Sequence, residues 1–276
     1  MGVDYADDSV TEVVRNAERV VVFAGAGMSA DMGIPTYWAG KNMLYGGEVG
    51  NHGFTAYEHA DSVLWLTNPA AQIAYHHERW VNFNLLDPTE PGSPYQTLMG
   101  HVTRTGKELF VVTTNVDSFF RRVGVPATQL FEVHGTQAYS QCLPYPEEHG
   151  VFPTTLPGVT LCPVCGSSTR PNVVFFNDWT VNTEQLFQQS LRWEQLRETL
   201  GEETVILEIG CGVNVPVLRI WSKQLSVSQG VNVVRINPQI LDAGNKQLDF
   251  DSYHAVLATA TDGLNYVFNS ELCVQQ

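Results

Sequence analysis

The chain has 276 residues, enough for one large α/β domain with an insertion or for two separate domains. With 43% hydrophobic and only 16% charged residues it can bury a sizeable core, and its composition excludes intrinsic disorder. Fifteen basic residues against 29 acidic give a net charge of −14. That is the wrong sign for a chain that grips nucleic-acid phosphates, and no apolar run approaches the ~18 residues of a membrane span.

The first eight residues are acidic and lack the basic and apolar stretches of a secretory signal. Gly2 is not read as a lipid anchor, because Ala6 stands where that motif wants Ser or Thr. The cysteines are Cys142, Cys162, Cys165, Cys211 and Cys273, an odd count that points to reduced thiols and a cytoplasmic location. Ser9-Val-Thr-Glu12 reads as a capping box that opens a helix over Val10–Ala17. Arg19–Ala24 is a mostly apolar run ending at glycine, a strand buried on both faces. Asn68-Pro69 opens a helix with Ile73, Ala74, His77, Trp80 and Val81 on one face, and Ser93-Pro94 opens another. Further apolar runs come at Leu109–Thr113, Leu130–Val133, Val173–Phe176, Val205–Ile209 and Val231–Ile236. Helical stretches lie between them at Ser118–Val123, Thr183–Leu200 and Val215–Leu225.

Strands alternating with helices predict a parallel sheet covered on both faces. Residues 137–169 break the rhythm with Pro, Gly and Cys and read as a small insertion. Residues 36–87, aromatic and partly helical, form a second excursion. Ligands of such sheets bind beyond the carboxyl ends of the strands. The residues there are Gly25-Ala-Gly-Met-Ser29, Thr114, Asn115, Asp117, His134-Gly135, Gly210-Cys-Gly212, Asn214 and Asn237.

Each has a bland and a chemical reading. Gly25-x-Gly27 is either a tight strand-to-helix turn or a backbone cradle for a pyrophosphate. Ala30 satisfies the looser dinucleotide fingerprint, but Gly33 and Pro35 cut the following helix short. Glu48 stands about 20 residues on, in a glycine-rich loop, so a hydride-transfer enzyme is disfavoured. His134 is either a core histidine or a general base. Asp117 either caps a helix or recognises a ligand amide or hydroxyl. Cys211, behind a buried strand, reads as a small hydrophobe. Cys162-Pro-Val-Cys165 reads as half of a metal site.

Together these segments resemble the sirtuins, NAD-dependent protein deacylases. The resemblance is carried in order by Gly25-Ala-Gly-Met-Ser29 with Gly33-Ile-Pro35, by Thr114-Asn-Val-Asp117 and by His134-Gly135. It continues through Cys162-Pro-Val-Cys165, Arg170-Pro-Asn-Val-Val-Phe-Phe176, Gly210-Cys-Gly212 and Ile236-Asn237. Phe175-Phe-Asn-Asp-Trp179 and Gly210-Cys-Gly-Val-Asn-Val-Pro216 are similar to a less-studied, largely microbial branch.

The resemblance implies a Rossmann-like domain from 1–35, 93–136 and 170–276, a cofactor loop and helical module at 36–92, and a zinc-module-like insertion at 137–169. It implies NAD as cofactor, with Gly25, Ala26, Gly27, Met28 and Ser29 on the pyrophosphate side and Tyr37 and Trp38 in the cofactor loop. Thr114, Asn115, Val116 and Asp117 would surround the nicotinamide and its ribose, and Gly210, Cys211, Gly212 and Asn237 would line the adenosine half. His134 would be the base, with Asn115 and Asp117 as its catalytic companions. Val174, Phe175 and Phe176 would flank an acyl-lysine tunnel for a protein or peptide substrate. The products would be nicotinamide, free lysine and O-acyl-ADP-ribose.

Zinc would be structural, held by Cys142, Cys162 and Cys165. Its second pair is only half present, and His149 is the nearest fourth ligand, outside the usual spacing. The other departures are Thr36-Tyr-Trp38 for Asp-Phe-Arg, Thr114 for Gln, Cys211-Gly212 for Thr-Ser, and Asn177-Asp178 for Gly-Glu. A same-scaffold ADP-ribosyltransferase or NAD hydrolase, and a non-catalytic NAD-binding module, are the competing functions. The sequence does not fix the acyl group, the protein substrate or the oligomeric state.

Overall fold

The structure, a computed structural model, describes residues 9–36, 51–154, 161–238 and 253–268. Six parallel strands form the main sheet: β1 (Arg19–Ala24), β2 (Glu108–Thr113), β3 (Leu130–Glu132), and later β7 (Thr204–Ile209), β8 (Asn232–Ile236) and β9 (Tyr253–Val256). Their order is β3-β2-β1-β7-β8-β9. The chain thus leaves β1 toward one edge and returns to pair β7 on its other side. A doubly wound sheet opens its ligand crevice at such a reversal, here beyond the ends of β1 and β7.

Every residue of β7 is buried, as are five of the six in β1. Successive side chains point to opposite faces. Val20, Val22 and Ala24 join the layer containing α1 (Ser9–Asn16), α6 (Pro94–Thr105) and α11 (Ala260–Phe268). Val21 and Phe23 meet α9 (Glu184–Arg197) and α10 (Val217–Gln229), where Trp193 sits edge-on to Phe23 at 5.6 Å. The expected two-faced α/β sheet is therefore present, and β9 and α11 extend it beyond the strands that the sequence suggested. No described helix is long and apolar enough to cross a membrane.

A second, antiparallel sheet joins β4 (Gly135–Cys142), β5 (Val151–Pro153) and β6 (Thr169–Val173) in the order β5-β4-β6. It extends past both ends of residues 137–169. The expected strand at Val173–Phe176 is displaced: the ladder with β4 ends at Val173, and the apolar residues continue as an extended strap. Short helices α2 (Ala26–Ala30), α7 (Phe119–Arg122) and α8 (Pro146–His149) serve the two sheets. The helical module comprises α3 (Ala56–His59), α4 (Val63–Thr67) and α5 (Pro69–Leu85), with Asn68 capping α5 through Ala71 N–H.

The buried residues of α5 are Gln72, His76 and Phe83; of the predicted face Ile73, Ala74, His77, Trp80 and Val81, Ile73 packs half-buried against the Trp65–Phe175 cluster, Ala74 is exposed and the rest are half-buried. Gln72 exchanges hydrogen bonds with the His59 ring and its carbonyl, and His76 stacks on Trp65 at 5.5 Å. Specific polar bonds set the helix rotation where apolar periodicity points elsewhere.

One buried charge pair crosses the main sheet. Glu208 of β7 and Arg235 of β8 are register partners. Arg235 Nε donates to Glu208 Oε1 at 2.5 Å, Ser222 of α10 donates to Oε2 at 2.6 Å, and both charged side chains are at most 1% exposed. Removing one partner of a buried pair strands the other charge. Arg235→Leu should lower unfolding free energy by about 3–5 kcal/mol. Combining it with Glu208→Leu should recover most of that loss in denaturant titrations; a double variant no better than the single one would contradict the pairing.

Candidate active site

The ends of β1 and β7 meet backbone to backbone. A Cβ on Gly25 would lie 2.6 Å from Gly210 O, and one on Gly27 would lie 2.6 Å from Gly210 Cα. Gly210 itself has φ +60°, and a Cβ there would lie 2.4 Å from Gly27. Glycine is thus required at all three positions by close approach. The contact is sealed by Gly25 N–H donating to Ile209 O at 2.9 Å and Gly27 N–H to Gly210 O at 3.0 Å. These two donors are spent within the protein, so the glycines shape the floor of the crevice rather than offer their own N–H groups to a ligand.

The crossing brings the turn of α2 over the end of β2. There Ser29 Oγ donates to Asp117 Oδ2 at 2.6 Å and accepts from Asn115 Nδ2 at 3.0 Å. Asn115 also donates to Gly25 O, and its own N–H is held by Thr113 Oγ1. Asp117 Oδ1 accepts Phe119 N–H at 2.9 Å, which ties it to the first residue of α7, although Ser118 and not Asp117 holds the N-cap position; its second oxygen faces Ser29. Ser29, Asn115 and Asp117 are at least nine-tenths buried. Burial pushes the Asp117 carboxyl above its ordinary pKa, opposed by the Ser29 hydrogen bond. Tyr95, invisible to the sequence reading, completes the cluster at 2.8 Å from Ser29 Oγ.

Thr114 and Val116 flank Asn115 half-buried, and Met28 is fully buried under α2. Cys211 is a buried thiol donating to Phe23 O, and burial raises its pKa well above the thiol range, so it is no nucleophile. Gly212 faces open space. Asn237 Nδ2 donates to Cys211 O at 3.1 Å, which ties the β8 end to the β7 loop. Tyr37 and Trp38 lie outside the described residues.

His134 comes two residues after the end of β3, half-buried, with its pKa lowered by desolvation and opposed by the Val133 backbone. Its carbonyl accepts Val174 N–H at 3.0 Å, while Phe176 N–H donates to Ala60 O and Ser62 N–H to Phe176 O. Val174, Phe175 and Phe176 therefore strap the β3 end to the helical module, with Phe175 buried and Phe176 exposed. Asn177 adopts φ +57°, a left-handed conformation that Asn tolerates in place of glycine. Asp178 accepts from the buried Arg170 at 2.6 Å and from Phe175 N–H, so it anchors the strap.

Cys142, His149, Cys162 and Cys165 converge with ligand atoms all within 4.8 Å of one another. Cys142 Sγ lies 3.7 Å from Cys165 Sγ, and Cys162 Sγ lies 3.4 Å from His149 Nδ1. A tetrahedron with ordinary Zn–S and Zn–N bond lengths needs about 3.8 Å and about 3.5 Å respectively. The set can hold a zinc ion, and the expected impairment is corrected: α8 folds His149 back, which linear spacing could not reveal. β4 separates Cys142 from Gly135 by seven residue steps, roughly 23 Å at strand rise, so a metal here is remote from His134.

The Sir2 family model matches residues 25–215, more than two thirds of the chain. NAD-dependent protein deacylase 2 of Pseudomonas syringae pv. tomato is 31% identical over 240 residues, 83% of this chain and 88% of that one. The chain belongs to the Sir2 family. A protein of the same name from Pseudomonas aeruginosa is 33% identical over 172 residues, covering 62% of this chain and 65% of that relative. Among solved structures, a Sir2 homologue in complex with ADP-ribose superposes with TM-score 0.72 at 20% identity, over 98% of this chain and 100% of that one. A Sir2 homologue–NAD complex gives 0.71 at 20% identity, over 96% and 93%. The Sir2 fold thus extends over nearly the whole chain.

The metal assignment has a direct test. Purified protein should carry about one zinc per chain by elemental analysis. Cys162→Ser and His149→Ala should each lower zinc content and melting temperature together. Zinc far below one equivalent in unmutated protein would reject the site.

Proposed function

We propose that the protein is an NAD-dependent protein-lysine deacylase working in the crevice beyond β1 and β7. The observation that carries this reading is the convergence of Ser29, Asn115 and Asp117 at that crevice, with His134 at the next strand end bonded to the Val174 strap. Family membership and relatives named NAD-dependent protein deacylases support it. The residues fit the dinucleotide: the glycine crossing leaves backbone-thin walls, and buried amide, carboxylate and hydroxyl groups line one end.

NAD supplies a ribose whose bond to a nicotinamide leaving group can be broken. In the proposed assignment Gly25, Ala26, Gly27, Met28 and Ser29 line the pyrophosphate side, the two glycines giving it room rather than hydrogen bonds. Asn115 and Asp117 receive the nicotinamide end, where a carboxylate facing an amide N–H makes a charge-assisted hydrogen bond. Thr114 and Val116 frame them. Gly210, Cys211, Gly212 and Asn237 line the adenosine half, and Tyr37 and Trp38, outside the described residues, are assigned to cofactor binding. The strap of Val174, Phe175 and Phe176 offers extended backbone and aromatic surface to an acyl-lysine peptide. His134, kept neutral by burial, accepts a proton from a ribose hydroxyl. A cytoplasmic location goes with this reading, which a metal-binding rather than disulfide-bonded set of Cys142, Cys162 and Cys165 suits.

His134→Ala should lower deacylation by about 10²–10⁴-fold while leaving the fold and most NAD binding intact. A neutral base with a lowered pKa stays active until pH falls through that lowered value. The acid limb of kcat/KM should therefore lie below the ordinary histidine value of about 6.5 and vanish in the variant. Mass spectrometry of products from NAD and a mixed acyl-peptide pool should show O-acyl-ADP-ribose. ADP-ribosylated protein in its place, or near-wild-type turnover of the variant, would overturn the assignment.

A further inference from the structure

A serine hydroxyl has one proton and two lone pairs. All three are used at Ser29: the proton goes to Asp117 Oδ2, one lone pair takes Asn115 Nδ2–H, and the other faces the Tyr95 hydroxyl. Since the Ser29 proton is committed to Asp117, Tyr95 is the donor in the last contact. Tyr95 comes from α6, which sends no other side chain into this network. Its ring is fully buried, edge-on to Phe119 at 5.3 Å and Phe120 at 4.9 Å, so the hydroxyl is held in place by packing.

We propose that Tyr95 is a positioning residue of the nicotinamide end of the site, its hydroxyl fixing the direction of the hydrogen bond that Ser29 gives to Asp117. The functional half rests on the assignment of Asp117 proposed above. The chain of donors runs Tyr95 to Ser29 to Asp117. Protonating Asp117 reverses it: the carboxyl donates to Ser29, and the Ser29 proton turns against the proton of Tyr95. Tyr95 therefore favours the ionised acceptor form of Asp117. Burial acts the other way and keeps the tyrosine itself protonated and a donor.

The other groups facing Asp117 are Arg79 of α5, which attracts its charge, Glu132 of β3, which repels it, and the Phe119 N–H of α7. None of them touches the Ser29 lone pair that Tyr95 fills. The Tyr95 hydroxyl also interacts with Asn115, itself bonded to Ser29, so removing it should act on Asp117 chiefly through Ser29 and its immediate partner.

The test is a carbon-13 titration of aspartate-labelled protein, with the Asp117 carboxyl signal assigned by its loss in Asp117→Asn. Tyr95→Phe should raise the proton affinity of Asp117 about tenfold, one pH unit in the midpoint. Placing 2,3-difluorotyrosine at position 95, a stronger donor of the same shape, should lower it. This second substitution keeps the test decisive if the phenylalanine variant folds poorly. An unchanged midpoint in either form overturns the proposal. The pH profile of nicotinamide release from NAD separates the two claims. If the Asp117 midpoint moves and the profile moves with it, both hold. If the midpoint moves and the profile does not, Tyr95 positions Asp117 but Asp117 is not in the nicotinamide site.

Discussion

The structure turns on a contact made without side chains. Gly25 and Gly27 after β1 press against Gly210 after β7 so closely that any Cβ would penetrate backbone atoms. β7 is buried over its whole length and β1 at every residue but Arg19, so the sheet holds its register and any added methyl group must be taken up by the turns that follow the two strands. The crossing fixes where α2 begins, and α2 carries Ser29 onto Asn115 and Asp117 at the end of β2. A short stretch of backbone thus converts sheet topology into a polar site. The site sits at the reversal of strand order, where open α/β sheets bind ligands.

The second sheet extends that positioning to the rest of the crevice. β4 starts at Gly135, directly after His134, and ends at Cys142 in the cysteine and histidine cluster. Its partner β6 runs into the Val174–Phe176 strap, whose geometry is held by the buried Arg170–Asp178 pair. A metal in the cluster would stiffen the far end of β4 at a distance from His134. The same sheet therefore joins the candidate metal cluster to the proposed base, separated by the length of one strand.

Much of this is legible in the sequence. Apolar runs ending in Gly, Asn or a small polar residue mark β1, β2, β3, β7 and β8, and the residues just past those strand ends include Ser29, Asn115, Asp117 and His134. The features that escape have identifiable causes. His149 lies seven residues beyond Cys142 and reaches the cluster only because α8 turns the chain back. Tyr95 stands in a helix whose opening is visible, but nothing local shows a hydroxyl aimed across α6 at Ser29. Glu208 and Arg235 look like interruptions of apolar strands until register pairs them. The rotation of α5 obeys the Gln72–His59 hydrogen bonds, which hydrophobic periodicity does not encode. Of the two readings of Gly25 and Gly27, the tight strand-to-helix turn is visible in the structure, and the reason for glycine is the approach of Gly210, with their N–H groups bonded to β7 and its loop.

The crossing can be tested by one substitution. Gly27→Ala adds a single methyl group toward Gly210 Cα while keeping a residue suited to a helix. Nicotinamide release from NAD should be measured in this variant beside its far-ultraviolet circular dichroism. The account predicts a native spectrum, because β1 keeps its ladders to β2 and β7, with release lowered at least about tenfold, equivalent to some 1.4 kcal/mol of transition-state stabilisation. Wild-type release from a stably folded Gly27→Ala protein would contradict it.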